Sequence, residues 1–293
     1  MADKLVLPAY AKINLALDVL GRRPDGYHEV EMVMQTIALH DRVILERRGP
    51  GEILFHCSDP GLPREENLAY RAALLLKEEY GVKEGAAIYL EKRIPMAAGL
   101  AGGSTDAAAV LVGLNRLWNL GLPREELQGL GKRLGADVPY CIQGGTCLAR
   151  GIGEILTPLP PLPPTWLVLA KPPGGLATGG IYGRLDLTRL KYRPRLKNLI
   201  AALEAGSLAG VVANWGNVLQ GVSEGLVPEI VSLRQALVEL GALGSLMTGS
   251  GPTVFGLVEE EKKARAIAKK LQQEFPAAVI MVTKSINIDS LIS

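Results

Sequence analysis

Pro95-Met-Ala-Ala-Gly-Leu-Ala-Gly-Gly-Ser-Thr-Asp106 is the stretch of this 293-residue chain that decides most about its fold. It lies between a strand pattern, Ala86–Lys92, and an almost unbroken apolar helical pattern, Ser104–Trp118, which predicts a buried helix. Its glycines let successive backbone amides turn towards one point, which the positive end of the helix dipole also faces. The stretch therefore predicts a loop that binds a polyphosphate, although tight packing of a helix on a strand also uses glycine.

The loop differs from two common nucleotide-binding sequences. No Gly-Lys-Ser/Thr ends it, which excludes a Walker loop, and its glycine spacing does not match G-x-G-x-x-G, which disfavours a Rossmann dinucleotide site. Strand and helix patterns also alternate without a regular βαβ rhythm in both halves of the chain. We therefore predict the α+β class rather than a doubly wound parallel sheet.

The chain divides at Pro158–Pro164, which holds five prolines in seven residues. Such a stretch cannot lie in a helix or a central strand, so it predicts a stiff connector between a domain of residues 1–157 and a domain of residues 158–293. A surface loop within one domain is the alternative interpretation.

Patterns on either side of the connector predict the main elements. Before it, strands are expected at Lys4–Leu20, Val30–Leu39, Arg42–Arg47 and Glu52–His56, and helices at Asn67–Tyr80 and Arg124–Leu134. After it, we expect strands at Trp166–Ala170 and Ala277–Lys284, helices at Leu196–Glu204, Leu208–Leu219, Pro228–Leu240 and Glu259–Phe275, and a hairpin of Leu243–Met247 with Thr253–Val258.

Composition excludes several classes of protein. Apolar residues make up 48% and charged residues 21%, so the chain can bury a sizeable core and is not intrinsically disordered. A net charge of only +2 gives no strong field to attract nucleic acid or an anionic membrane. The three cysteines form no C-x-x-C pair, and no run of 18 apolar residues occurs. We expect a cytoplasmic protein that binds neither nucleic acid nor membrane, as a monomer or weak homodimer.

Three further short stretches carry polar groups where a strand or turn could present them: Ala9–Leu15, Gly135–Tyr140 and Thr248–Thr253. In the first, strand alternation places Lys12 and Asn14 on one face. In the second, the carboxylate of Asp137 follows a predicted helix end. Each stretch taken alone also has an ordinary explanation, respectively a solvated strand face, an Asp turn and a hairpin turn.

The order of these features along the chain resembles the GHMP kinase superfamily, which is named for galactokinase, homoserine kinase, mevalonate kinase and phosphomevalonate kinase. Within it, the chain is most similar to the family of 4-diphosphocytidyl-2-C-methyl-D-erythritol kinases. The stretches that carry the resemblance are Ala11–Leu15, Arg23–His28, Pro95–Ala107, Leu134–Pro139 and Gly151–Pro158. The resemblance implies an N-terminal nucleotide-binding domain like domain 2 of ribosomal protein S5 and a C-terminal ferredoxin-like α/β sandwich.

The same resemblance implies an activity. ATP, with Mg²⁺ bridging its phosphates, would phosphorylate the 2-hydroxyl of cytidine diphosphate methylerythritol in the non-mevalonate pathway to isoprenoid precursors. Lys12 and Asp137 would be the catalytic residues. The alternatives are another GHMP kinase, a diphosphate decarboxylase of the superfamily, or a catalytically silent nucleotide-binding regulator on the same scaffold.

The resemblance also implies which residues bind the reactants. The phosphate-binding residues would be Pro95, Met96, Ala97, Ala98, Gly99, Leu100, Ala101, Gly102, Gly103, Ser104 and Thr105. The substrate-binding residues would be Lys12, Asn14, Tyr27, His28, Asp137, Thr178, Tyr182, Gly249 and Gly251. Family position places Asn67 and Lys92 near adenine. Alanine at positions 97, 98 and 101, where some relatives have glycine, predicts that none of the three needs a positive φ.

Overall fold

The computed structural model describes residues 3–59, 61, 63–190 and 192–288, which build two β-sheets flanked by helices. The strands are β1 (Lys4–Arg22), β2 (His28–Pro50), β3 (Ile53–Cys57), β4 (Glu84–Glu91), β5 (Thr146–Arg150), β6 (Ile155–Pro158), β7 (Trp166–Lys171), β8 (Gly216–Asn217), β9 (Ser245–Met247), β10 (Val254–Val258) and β11 (Val279–Lys284). The helices are α1 (Leu68–Glu79), α2 (Gly102–Leu117), α3 (Arg124–Leu134), α4 (Val138–Gln143), α5 (Thr178–Tyr182), α6 (Leu196–Glu204), α7 (Leu208–Asn214), α8 (Gln220–Leu226), α9 (Glu229–Glu239) and α10 (Glu261–Glu274).

The first sheet is organised around two long antiparallel strands, β1 and β2, whose pairing runs from Lys4 opposite Glu46 to Arg22 opposite His28. The sheet order is β3-β4-β2-β1-β8. Strand β5 pairs with β2 on the same edge as β4, at a different part of the strand, and β6 pairs with β5. Register shifts interrupt the β1–β2 pairing on both sides of the segment that carries Lys12 and Asn14. Such irregularities change the direction of side chains, and these two flank the strand segment that contributes to the candidate site.

Helix α2 is the centre of the first core. It packs against β1, β2, α1, α3 and α4, and its apolar run from Ala107 to Leu114 is buried. A helix that is apolar on all sides has to be surrounded, and here sheet and helices supply the cover. The phosphate loop, residues 95–105, leads directly into this helix, so a buried helix in the core supports the loop.

The second sheet is antiparallel, in the order β11-β7-β10-β9, with α9 and α10 packed against it. All five residues of β10 are buried, and the ring of Phe255 meets Trp215 edge to face at 5.4 Å between centroids. Segments from the second half also join the first sheet. Strand β8 pairs in parallel with β1, and Ser285 forms a bridge with Ile37.

The structure confirms the α+β class, the first predicted helix, which Asn67 caps, and the hairpin, which forms from β9 and β10. Other element predictions were wrong in detail. The two strands predicted between Val30 and Arg47 are one continuous strand, because His40 and Asp41, which lie between them, both pair with β1 and Asp41 is fully buried. The helix expected to reach Leu219 ends at Asn214, where the chain leaves to form β8. Helix α4 was not predicted.

Among the described residues, no helix combines the length and apolar character needed to span a bilayer. The connector at Pro158–Pro164 lies between β6 and β7, and its Leu162 side chain is fully buried. A division of the chain at residue 157 stays a prediction.

Two helical glycines allow a matched test of packing around α2. A Cβ on Gly113 would lie 2.3 Å from Cδ1 of Leu45 and 2.5 Å from Cδ1 of Leu7, whereas one on Gly129 in α3 would meet nothing within 4 Å. We expect Gly129→Ala to stabilise the protein by about 0.5–1 kcal/mol, through helix propensity alone. Gly113→Ala should lower the free energy of unfolding, since overpacking costs about 1–3 kcal/mol. Chemical denaturation measures both, and equal stabilisation by the two alanines would contradict the packing.

Candidate active site

Lys12 and Asp137 come together at the centre of the candidate site. The Lys12 ammonium lies 3.7 Å from Oδ2 of Asp137 and donates a hydrogen bond of 2.7 Å to Oδ1 of Asn14. The Lys12 side chain is only 5% exposed, whereas that of Asp137 is 30% exposed. The site therefore pairs a buried cation with a carboxylate that solvent or a substrate can reach.

Local structure places these two groups. Lys12 lies in β1 beside the register shift, and its backbone amide donates to the carbonyl of Leu100 in the phosphate loop. Asp137 is the residue before α4, which begins with Val138 and Pro139. Proline is favoured in the first turn of a helix, so this short sequence fixes the position of the carboxylate.

A turn from the second sheet packs directly onto the phosphate loop. The turn, Thr248–Gly251, follows β9, and its Thr248 side chain accepts a hydrogen bond of 3.1 Å from the backbone amide of Asn14. A Cβ on Gly99 would lie 2.3 Å from the carbonyl oxygen of Thr248, and one on Gly249 would lie 2.9 Å from that of Gly99. The two backbones touch, and only glycine permits this approach.

The prediction for the loop alanines was wrong at two of the three positions. Ala97 has a φ of 48° and Ala101 a φ of 59°, both in the left-handed region, while Ala98 has no positive φ. Left-handed backbone costs an L-residue about 1–2 kcal/mol. The loop keeps these conformations because both of its ends and its neighbouring turn are fixed by other contacts.

The other loop residues differ in exposure. Helix α2 begins at Gly102, two residues before the predicted start at Ser104, because left-handed Ala101 lets the chain enter the helix at once. Met96, Ala97 and Gly103 are exposed, whereas Ala98, Leu100 and Thr105 are buried; Pro95, Gly99, Ala101, Gly102 and Ser104 lie between these extremes. The exposed residues of the loop therefore carry no charged side chain.

Four of the predicted substrate-binding residues lie in two segments that are in contact, Tyr27 with His28 and Thr178 with Tyr182. The rings of His28 and Tyr182 are 5.2 Å apart between centroids, and Tyr27 beside them is 59% exposed. Burial and the neighbouring Arg22 lower the pKa of His28, which favours a neutral imidazole at neutral pH. Thr178, at the start of α5, shares a hydrogen bond of 3.0 Å with Ser250 of the turn.

Asn67 and Lys92, predicted to lie near adenine, and Asn14, predicted to bind substrate, form hydrogen bonds or ion pairs with other residues of the protein. Asn67 caps α1 by accepting from the amide of Ala69, at 3.0 Å. The Lys92 ammonium contacts the carboxylates of Asp41 and Asp106. Asn14 is fully buried, and its Oδ1 accepts from Lys12 and from the amide of Gly249.

Lys171 is a residue near the loop that sequence reasoning missed. It ends β7, is buried, and donates to the carbonyl oxygens of Gly174 and Pro172; none of the ion pairs in the described ranges includes it. Burial lowers its pKa. Lys171 thus bonds to the segment Pro172–Gly175, and this segment contacts the phosphate loop. A Cβ on Gly175 would lie 2.6 Å from the Cβ of Ala97. A lysine at a strand end gives no sequence signal for this contact.

Sequence comparison with known proteins matches this chain to GHMP kinases. Residues 67–145 match the family described as GHMP kinases N terminal domain, and residues 180–277 match GHMP kinases C terminal. The chain is 48% identical over 266 residues to the 4-diphosphocytidyl-2-C-methyl-D-erythritol kinase of Alkaliphilus metalliredigens, which covers 90% of this chain and 91% of that protein. It is 45% identical over 281 residues to the protein of that name in Clostridium botulinum, covering 96% and 99%.

Solved structures agree with these sequence matches. A crystal structure of 4-(cytidine 5'-diphospho)-2C-methyl-D-erythritol kinase superimposes with a TM-score of 0.82 at 37% identity, covering 97% of this chain and all of that one. A homoserine kinase from Cytophaga hutchinsonii gives a TM-score of 0.78 at 21% identity, covering 99% of this chain and 96% of that one. The homoserine kinase shows a common fold alone.

The left-handed alanines give a test of the loop geometry. Ala101→Gly is expected to raise the free energy of unfolding by about 0.5–1 kcal/mol, because glycine adopts positive φ without steric cost. Ala98→Gly, in the same loop but buried and without positive φ, should lower stability through lost burial and greater freedom of the unfolded chain. Urea titrations of the two variants measure this, and a destabilised Ala101→Gly would contradict the left-handed conformation.

Proposed function

This chain belongs to the family of 4-diphosphocytidyl-2-C-methyl-D-erythritol kinases, a branch of the GHMP kinases, and we propose that its Lys12–Asp137 site transfers the γ-phosphoryl group of ATP to the 2-hydroxyl of that substrate. The observation that carries the assignment is the buried ammonium of Lys12 beside the accessible carboxylate of Asp137, at the mouth of a glycine-rich loop. A nucleotide-binding regulator would have no need of such a pair.

The pair suits the activation of an alcohol. The oxygen of the substrate 2-hydroxyl forms a bond to the γ-phosphorus of ATP, and Asp137 accepts the proton of that hydroxyl. At the same time the bond between the γ-phosphorus and the β,γ-bridging oxygen breaks, and ADP leaves. Lys12 orients the hydroxyl and stabilises its developing negative charge. Because phosphoryl transfer proceeds through a loose transition state, positioning of the hydroxyl contributes more than its full deprotonation.

The phosphate loop would bind ATP through its backbone. Its exposed side offers amides around Gly102 and Gly103 at the positive end of the α2 dipole, which attracts phosphate. Neutral backbone amides bind the phosphates without adding a positive charge that would compete with Lys12 for the carboxylate of Asp137. The loop therefore supports a role in holding the β- and γ-phosphates.

The residues present fit a magnesium ion bound mainly through the nucleotide. Among the described residues, no group of three His, Cys, Asp or Glu side chains could hold a metal by itself. The half-buried hydroxyl of Ser104 faces the segment before Asp137, since a Cβ on Gly135 would lie 3.9 Å from its Oγ. Mg²⁺ commonly takes phosphates, waters and only one or two protein oxygens. When bound, it would offset the negative charge of the phosphates, with Ser104 as the protein ligand that we propose.

The aromatic group at the other end of the site would bind the cytosine base. Tyr27 is exposed and can stack on a base, while His28 and Tyr182 already contact each other and form a rigid wall. The neutral imidazole of His28 can both donate and accept a hydrogen bond, as recognition of the cytosine edge requires. Gly249 and Gly251 would close the site beside the substrate and the transferred phosphate.

Replacement of Asp137, the proposed proton acceptor, tests the catalytic pair. Asp137→Asn keeps the shape of the side chain but cannot accept the proton, so we expect kcat to fall about 10²–10⁴-fold, the usual effect of a positioned acid–base group. ATP affinity should be retained, because the loop backbone binds the phosphates. A coupled assay of ADP release measures kcat, and titration with a non-hydrolysable ATP analogue measures binding.

Lys12→Met and the double variant complete this test. If the two residues act as a unit, the double variant should be much less impaired than the product of the single effects predicts. A folded Asp137→Asn enzyme with near-normal kcat would instead make Asp137 a turn residue.

Substrate specificity gives a separate test. Tyr27→Ala should lose about 1–3 kcal/mol of base stacking, seen as a raised KM for the cytidine substrate with little change in KM for ATP. Tyr27→Phe keeps the stacking ring and should therefore retain most of the affinity for the cytidine substrate. Equal changes in both KM values after Tyr27→Ala would point to a structural role for Tyr27.

A further inference from the structure

Three charged side chains are buried beneath the phosphate loop and are not used in the proposed reaction. They are Asp41 in β2, Lys92 directly after β4 and Asp106 in α2, with side chains 0%, 11% and 2% exposed. The Lys92 ammonium contacts Oδ2 of Asp41 and lies 2.6 Å from Oδ2 of Asp106. A single lysine thus joins two carboxylates from different elements.

The contacts of this triad fall on both ends of the phosphate loop. Oδ1 of Asp41 accepts from the backbone amides of Arg93 and Ile94, the last residues before the loop, the second at 2.8 Å. Asp106 is the residue that follows the loop in α2. The ammonium also lies against the start of that helix, since a Cβ on Gly102 would be 3.3 Å from Nζ of Lys92.

The charges of the triad do not cancel if both carboxylates are ionised. Oδ1 of Asp106 is buried without a hydrogen-bond partner in the described part of the chain. Burial raises the pKa of Asp106 to about 8, opposed by the ammonium of Lys92 and reinforced by the nearby Asp41. The other titratable groups that face it are the thiols of Cys57 in β3 and Cys141 in α4, whose pKa values burial also raises.

A gain in stability does not account for this arrangement. Buried ion pairs replaced by apolar side chains of similar volume often leave a protein equally stable or more stable. Their best-attested use is to fix one geometry among several. Here the segment between the clamped ends includes Ala97 and Ala101, whose left-handed backbone would relax if the ends could move.

We propose that the Asp41–Lys92–Asp106 triad is a clamp that positions the phosphate loop by tying the chain entering it to the helix leaving it. The inference deepens the proposed function, on which its kinetic consequence rests, because the clamped loop is the one assigned to ATP. All three are positioning residues that act on the nucleotide through the backbone of the loop. An alternative is that Lys92 contacts the nucleotide directly.

Asp106→Ala is the sharpest variant, because it cuts the link to α2 and leaves Lys92 and Asp41 as a balanced pair that should fold. Without nucleotide, we expect the amides of residues 96–101 to exchange hydrogen about tenfold faster, as for loss of a buried charge-assisted hydrogen bond. KM for ATP should rise about tenfold with a smaller change in kcat. Amides of α10 serve as the internal reference.

Two further variants separate a clamp from a general effect. Asp106→Asn keeps an oxygen that accepts from Lys92, so it should restore slow exchange and a normal KM for ATP. Glu46→Gln is the matched control, since Glu46 lies in β2 like Asp41 but forms its ion pair of 3.0 Å with Lys4, at the end of the β1–β2 pairing. It should leave loop exchange and KM unchanged.

The outcomes are distinct. Wild-type exchange of the loop in Asp106→Ala, or no rescue by Asp106→Asn, would overturn the clamp. A raised KM for ATP with unchanged exchange would assign Lys92 to the nucleotide itself and would also overturn it. If the wild-type enzyme fails to phosphorylate the cytidine substrate, the proposed function fails, while the exchange measurements still decide about the clamp.

Discussion

The candidate site depends on one buried oxygen atom, Oδ1 of Asn14. It accepts from the ammonium of Lys12 at 2.7 Å, from the amide of Gly249 at 3.0 Å and from the hydroxyl of Thr248 at 3.3 Å. These donors belong to the first sheet and to the turn of the second. A neutral amide oxygen can satisfy all three without adding a charge beside Asp137, whereas an aspartate at position 14 would compete for the lysine. The ammonium of Lys12 and the turn Thr248–Gly251 are therefore held in place by the same atom.

The contact between the phosphate loop and the turn has a second physical basis, which is the absence of side chains. Gly99 and Gly249 let two backbones meet at distances that a Cβ would prevent. Asn217 extends this contact, because its amide donates to the carbonyls of Met247 and Gly249 from the end of β8. Glycine in the turn thus determines how closely the two halves approach, and side-chain amides determine their alignment.

The sequence predicts those parts of the site that local chemistry specifies. The glycine-rich loop, the buried helix after it and the hairpin with its turn all follow from short-range patterns, and Lys12, Asn14 and Asp137 could be chosen because they interrupt apolar stretches. The family resemblance then assigned their roles, which remain proposals. The sequence did not predict the features that depend on partners far away in the chain. Asp41 lies where the sequence predicts a gap between two strands, but it is buried in β2 and contacts Lys92, which lies 51 residues later in the chain. Left-handed Ala97 and Ala101 likewise require constraints outside the loop.

The pairing of distant segments also has a consequence for how the protein folds. Strand β1 pairs with β8, which lies about two hundred residues further along the chain, and Ser285 forms a bridge with Ile37. Each of these contacts closes a long loop of chain, and the entropy cost of that closure has to be met before the contact contributes any stability. The candidate site therefore depends on contacts that local folding of either half of the chain cannot supply.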